Sequence, residues 1–262
     1  MPSRLMSLGC IMVLTLGAVL ARPAAGLAKT NAFTTLEASS LGATNTAAQG
    51  INPQGDIVGN YTDRSGKHGF LLSAGDYSPI DVSGATATSA RDINPQGDVV
   101  GWYADSTGQH GFLRRGGSDT QFDFPGATLT NALGINPQGE IVGFYTDSMG
   151  RQHGFLHSGD DFSFGSPGWT TLDATFPGTT RTLPRGINAQ GDIVGGYDDR
   201  NGDRHAFLLC GGKYTTLDWD ILVQVPGATD IDAFGVNPRG DVVGAYVDSS
   251  GVQYGFVLTG VR

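Results

Sequence analysis

The stretch GINPQGDIVGNYTDRSGKHGF, residues 50–70, returns four more times down the chain with small edits. Self-similarity of this kind constrains folding more than any single motif, because each copy must be one supersecondary unit that buries its apolar face on its neighbours. The copies are anchored at Asn52, Asn94, Asn136, Asn188 and Asn237, spaced by 42, 42, 52 and 49 residues. Each anchor follows Ile or Val and opens NPQG, NAQG or NPRG. Asn at the first corner and Gly at the fourth, usually with Pro between, is the residue choice of a type I turn.

A strand follows each turn: DIVGNY, DVVGWY, EIVGFY, DIVGGY and DVVGAY are rich in β-branched and aromatic residues. A second turn opens with Asp63, Asp105, Asp147, Asp199 or Asp248 and closes on Gly, and a third strand begins HGF, HAF or YGF. Two tight hairpins result. A fourth strand, YSPID, TQFDF, WTTLD or YTTLD, precedes a PGAT-like corner. Four strands in roughly 40 to 45 residues is the arithmetic of a propeller blade.

The chain ends sharpen this. FTTLE, residues 33–37, matches a fourth strand, whereas YGFVL, residues 254–258, is a third. The reading is therefore an all-β, five-bladed propeller of four-stranded blades, its ring closed by the N-terminal strand completing the last blade. Closure removes the open sheet edges that invite aggregation. A straight solenoid is the competing fold, but it wants polar capping repeats. The segments ending at the anchors (TNTAAQGIN, TATSARDIN, TLTNALGIN, TRTLPRGIN and DIDAFGVN) are expected to be the innermost strands, their small and polar residues suiting a crowded axis.

The combined unit, with GINPQGDIVG, YTD, the literal His205-Ala206-Phe207 and its HGF relatives at His68, His110 and His153, resembles the HAF family of bacterial extracellular repeats. The resemblance covers nearly all of residues 32–262 and implies export and a repeat scaffold; it brings no catalytic residue. Tyr254 stands where a His is expected, and the third and fourth units carry longer inserts.

Export is also expected from residues 1–28: Arg4 supplies a basic start, residues 5–20 are largely apolar, and Ala21, Ala24, Ala25 and Ala28 follow. That pattern reads as a secretory signal peptide, with cleavage after Ala21 or Ala28. It is too short and too rich in small residues for a membrane span of about 20 residues. Cys10 lies inside the apolar run and not at its end, which argues against a lipid anchor. Residues 29–262 then form one domain, secreted or periplasmic and monomeric, with Cys210 alone and no internal disulfide. Losing Arg4 and Arg22 takes the formal charge from −9 to −11, and no basic stripe offsets it, so nucleic acid is not an expected partner.

Four histidines in register suggest a metal, but equivalent positions in successive blades spread around a ring. His68, His110, His153 and His205 are instead expected to hydrogen-bond the neighbouring turn and its Asp, with no metal or other cofactor. Each turn Asp is expected to fix its own turn, since a calcium loop needs six to eight oxygens. Asp92, Asp230 and Asp232 put carboxylates on two inner strands, making them the candidates for a polysaccharide hydrolase or lyase. Solvated surface acids are the plainer reading of them. Short blades leave little room for a cleft, and no Ser-His-Asp or nucleophile-elbow pattern is present. Hence no enzyme is expected.

Departures from the repeat favour binding. The inserts at residues 157–169 and 219–225 carry Phe162, Phe164, Trp169 and Trp219, candidate platforms for a sugar face or a protein partner. Packing between blades competes for Trp169 and Trp219, and is the expected role of Trp102. The reading is an exported recognition module for a glycan or an envelope protein. The alternatives are a polysaccharide-active hydrolase or lyase and a purely structural surface protein.

Overall fold

The computed structural model describes residues 34–163 and 165–261, with the backbone alone at Trp219. The chain divides into Met1–Thr35, of which only Thr34 and Thr35 are described, and Leu36–Arg262, which carries all the described regular structure. The expected signal segment therefore lies outside the described residues.

Five antiparallel meanders follow one another. The first is β1 (Asn45–Ile51), β2 (Ile57–Thr62), β3 (Lys67–Ser73) and β4 (Asp76–Ile80). The second is β5 (Ala87–Ile93), β6 (Val99–Ala104), β7 (Gln109–Arg115) and β8 (Ser118–Phe122); the third is β9 (Leu129–Ile135), β10 (Ile141–Thr146), β11 (Gln152–His157) and β12 (Trp169–Leu172). The fourth is β13 (Arg181–Ile187), β14 (Ile193–Asp198), β15 (Arg204–Cys210) and β16 (Lys213–Thr216). Helix α1 (Asp218–Gln224) intervenes before β17 (Thr229–Val236), β18 (Val242–Val247) and β19 (Gln253–Leu258). A single parallel bridge, Gln109 to Leu129, links the second and third meanders.

Turn chemistry is dictated by the residues. Asn52 Oδ1 accepts from the amides of Gln54 (3.0 Å) and Asp56 (2.9 Å), and the Gly55 amide donates to the Asn52 carbonyl (3.0 Å). The same bonds recur at Asn94, Asn136 and Asn188, all buried. Their side chains also join the units: Asn94 Nδ2 donates to the Asn136 carbonyl (3.4 Å), Asn136 to that of Asn188 (3.3 Å), and Asn188 to that of Asn237 (3.0 Å).

Between meanders the core is apolar. Phe70, Phe112, Phe155 and Phe207 are fully buried, and Val58, Val100, Val142 and Val194 each enter a cluster built largely by the following unit. In the fourth unit Ala206 replaces the glycine of HGF. The outer strand there ends at Thr216 and the chain turns into α1, which buries Ile221 in the last cluster. The insert at 219–225 is thus mostly helical.

The expected N-terminal strand does not appear in the described chain: Leu36 and Glu37 are not in a strand, Phe33 lies outside the described residues, and β19 pairs there with β18 alone. Even so, the segment from Ala38 enters β1 as the later corners enter their strands. The Ala38 amide donates to Thr46 Oγ1 (3.1 Å), as Val82 does to Thr88 (3.3 Å), Phe124 to Thr130 (3.0 Å) and Ala174 to Thr182 (2.9 Å).

The glycine of each VG pair marks a close strand approach. A Cβ at Gly59, Gly101, Gly143, Gly195 or Gly244 would sit 2.1, 2.1, 1.9, 2.1 or 2.2 Å from a carbonyl oxygen of the adjacent inner strand. Backbone cannot yield as a flexible side chain can. Gly143→Ala is expected to lower stability by about 2–3 kcal/mol in urea unfolding. A loss within error would mean that the inner hairpin tolerates separation.

Candidate ligand-binding site

Each inner strand carries a β-bulge at the same place, and β17 has a second irregularity between Thr229 and Asp232. Pairing to the second strand skips one residue between Ala48 and Gly50, Ala90 and Asp92, Ala132 and Gly134, Pro184 and Gly186, and Ala233 and Gly235. The skipped residues are Gln49, Arg91, Leu133, Arg185 and Phe234. A bulge bends its strand and re-aims the side chain it frees. These five residues line one cavity of 320 Å³, and all five continue into an adjoining space of 420 Å³. One strand of each of the five meanders therefore faces a common cavity.

Sequence reading expects these strands at the axis but gives them small and polar residues. The small residues are spent on close backbone approach: a Cβ on Gly134 would lie 2.7 Å from the Arg185 carbonyl, and one on Gly186 2.8 Å from that of Phe234. The cavity itself receives the large side chains. Arg91 Nη1 donates to Gln49 Oε1 (3.0 Å). Burial pushes the Arg91 guanidinium below its ordinary pKa, and the like charge of Arg185 adds to this. Arg185 Nε donates to Asp232 Oδ1 (3.1 Å) and Oδ2 (3.0 Å), and its guanidinium lies 5.5 Å from the Phe234 ring centroid.

The three candidate catalytic carboxylates are not brought together there. Asp92 lines the 420 Å³ space, but its oxygens accept from the amides of Ile135 (3.0 Å) and Ile93 (2.9 Å). It occupies the position that is glycine in the other units, and its side chain bridges β5 to β9. Asp232 is buried between Arg185 and Arg204, in room left by Gly196, where a Cβ would meet its Oδ1 at 2.7 Å. Asp230 is exposed, with a positive φ of 48°. A glycosidase needs two carboxyls facing one bond, and of these three only Asp92 lines the cavity.

The binding candidates of the third insert turn inward. Phe162 stacks on Phe122 (4.7 Å) and His157 (4.2 Å), while Trp169 contacts His157 (4.3 Å), Phe124 (5.4 Å) and Phe155 (5.5 Å). Their ring faces are occupied by neighbouring rings, because His157 is fully buried and the insert folds over it. Phe164 and the Trp219 side chain lie outside the described residues. Trp102 is covered by Lys67 of the preceding unit, Nζ 5.5 Å from the ring centroid.

The repeated histidines stand between two aspartates each. His68 Nε2 faces Asp63 (3.3 Å) and Nδ1 faces Asp81 (3.0 Å), with Tyr61 stacked at 5.1 Å; His110, His153 and His205 repeat the arrangement. A hydroxyl-imidazole-carboxylate chain does form, contrary to the sequence reading: Ser65 Oγ lies 2.9 Å from His68 Nε2, and Thr107 Oγ1 lies 2.9 Å from His110 Nε2. It escapes notice because strand pairing, not sequence spacing, assembles it. Each hydroxyl donates to its turn carboxylate, Ser65 to Asp63 (2.6 Å) and Thr107 to Asp105 (2.7 Å), so its proton is held away from the imidazole. The chain braces a turn.

No family model and no curated protein matches the chain. Among solved structures, the fucose-specific lectin from Aleuria aurantia is 11% identical with a TM-score of 0.48, covering 83% of this chain and 74% of that one. A putative TolB from Agrobacterium tumefaciens is 15% identical with a TM-score of 0.48, covering 82% and 81%. The SapL1 lectin in complex with α-methyl fucoside is 12% identical with a TM-score of 0.46, covering 85% and 84%. These are distant likenesses.

Burial raises Asp92 from the ordinary carboxylate value of 3.8 to about 6. Between about pH 4 and 6 the folded chain holds a proton that the unfolded chain has lost, so this residue's contribution falls as pH rises through that window. Asp92→Asn is expected to gain stability relative to the parent across the same window and to run parallel above it. Urea midpoints of both proteins measured from acid to neutral pH check this; a constant gap would mean that folding leaves the Asp92 pKa unchanged.

Proposed function

We propose that this chain is an exported ligand-binding scaffold of the HAF repeat type, a five-bladed propeller that binds a glycan at its axial cavity. One observation carries the reading: five bulges in register aim Gln49, Arg91, Leu133, Arg185 and Phe234 into one space. A sugar offers hydroxyls to an amide and guanidinium groups, and a C–H face to an aromatic ring. The half-exposed Phe234, at 46%, supplies such a ring. No pair of candidate carboxylates faces the cavity, which favours binding over hydrolysis.

Ring closure is part of the proposal. Val243 is 45% exposed, whereas its equivalents Val58, Val100, Val142 and Val194 are fully buried. A fourth strand at residues 33–37 would complete the last blade beside β19. By analogy with the β11–β12 pairing, which sets Leu156 opposite Thr170, Thr34 then lies opposite Val257. A Thr34→Cys/Val257→Cys pair, with Cys10 and Cys210 changed to Ser, is expected to form an intramolecular disulfide under mild oxidation. Monomer that stays fully reduced would overturn the closure.

Export predicts a mature N-terminus after Ala21 or Ala28. For binding, a glycan array followed by thermal shift is expected to give saturable stabilisation, with Phe234→Ala weakening affinity about tenfold. Unchanged affinity would move the site off the axis. Turnover of a polysaccharide would replace the reading with the enzyme, and silence in both assays with a structural role.

A further inference from the structure

We infer that the axial cavity selects an anionic glycan, and that Arg91 is the residue that receives its oxyanion, a carboxylate or a sulfate or phosphate ester. This rests on the proposal of an axial glycan site. The two guanidinium groups in the cavity are not equivalent. Arg185 is neutralised within the protein: besides its Nε bonds, its Nη2 lies 2.8 Å from Oδ2 of Asp232, whose side chain is only 8% exposed. Asp232 also takes Arg204 at 3.3 Å.

Arg91 has no such partner. Among the described residues it makes no ion pair, and its hydrogen bond is the one to the neutral Gln49. A guanidinium carries five N–H donors in a planar fork, so most of this fork has no protein acceptor. Asp92, the acid beside it, directs both oxygens to backbone amides of Ile93 and Ile135. The charge that acts on Arg91 is therefore the like charge of Arg185, across a cavity that Leu133 and Phe234 also line.

A half-buried guanidinium facing another cation and lacking a counter-charge is stabilised by an incoming anion more than by a neutral group. Its fork matches an oxyanion through two parallel bonds. Gln49 fixes one arm and Phe234 offers a ring beside the site, so an acidic sugar unit fits the cavity's chemistry. The pattern was not legible from bulk composition, because the chain is acidic overall and the two arginines lie far apart in sequence.

The test is calorimetric titration with a galacturonic acid trisaccharide, its fully methyl-esterified form and a sulfated neutral trisaccharide. An anionic probe is expected to bind roughly tenfold or more tightly than the ester. Arg91→Gln should erase that gap, and Arg91→Lys, which keeps the charge but loses the fork, should retain part of it. Preference for the sulfated probe supports the inference and assigns the source to an ester group. Equal affinity for acid and ester, or a gap that survives in folded Arg91→Gln, overturns the anion while leaving the axial site. Binding of none of the three, together with no response on the glycan array, overturns both.

Discussion

Much of this structure depends on a buried carboxamide that serves two units at once. In Asn94, Asn136 and Asn188 the side-chain oxygen closes its own turn while the nitrogen donates to the carbonyl of the next anchor. A net hydrogen bond contributes only about 1 kcal/mol, but a buried group left unpaired costs about 1–3 kcal/mol. One N–H of that nitrogen is held within its own turn, by Asp98, Glu140 or Asp192, so it is the second N–H that finds its acceptor only when the neighbouring meander is in register. Asp, with no N–H, cannot donate to a carbonyl, and Ser is too short to reach both partners. The anchor makes the distance between inner strands a fixed quantity, and the apolar clusters between units pack at that spacing.

The cavity arises from the same constraint. Inner strands held this close leave no room for side chains between backbones, which is why glycine stands opposite the bulge and, in four units, directly after it. The freed residue turns into the shared cavity. A bulge in one meander would be a local irregularity; repeated in five, it gives one cavity a lining of side chains whose identities can change without disturbing the pairing around them. Asp92 is the informative exception: where glycine gives way to a carboxylate, the side chain replaces close backbone contact with bonds to the amides of Ile93 and Ile135, and burial raises its pKa in return.

How much of this was readable depends on the range of the interaction. Turns at Asn52 and Asp63 and the strands between them are local, and their residues announce them. So is the pairing of each histidine with its turn aspartate. The axial site is not local: a bulge is a property of two strands, and Gln49, Arg91, Leu133, Arg185 and Phe234 share no chemistry, so they look like noise in the repeat. Their variability at one column of an otherwise regular unit was the available signal. The aromatic inserts are the louder feature of the sequence, yet Phe162 and Trp169 close over His157, whose burial lowers its pKa. Rings beside a buried imidazole fill space before they bind ligands.

Net charge misleads for the same reason. A chain with formal charge −9 repels polyanions at long range, but that repulsion decays over a Debye length of about 10 Å in 0.1 M salt. At the cavity the nearest groups decide, and the acids in and behind its wall are committed: Asp232 to Arg185 and Arg204, Asp92 to backbone amides. The surface aspartates are likewise committed to their turns, which hold Asp63, Asp105 and Asp248 below the ordinary carboxylate range through hydrogen bonds. An acidic chain and a guanidinium-lined cavity are therefore compatible in one small fold, because the repeat consumes its carboxylates in holding itself together and leaves a guanidinium where the strands converge.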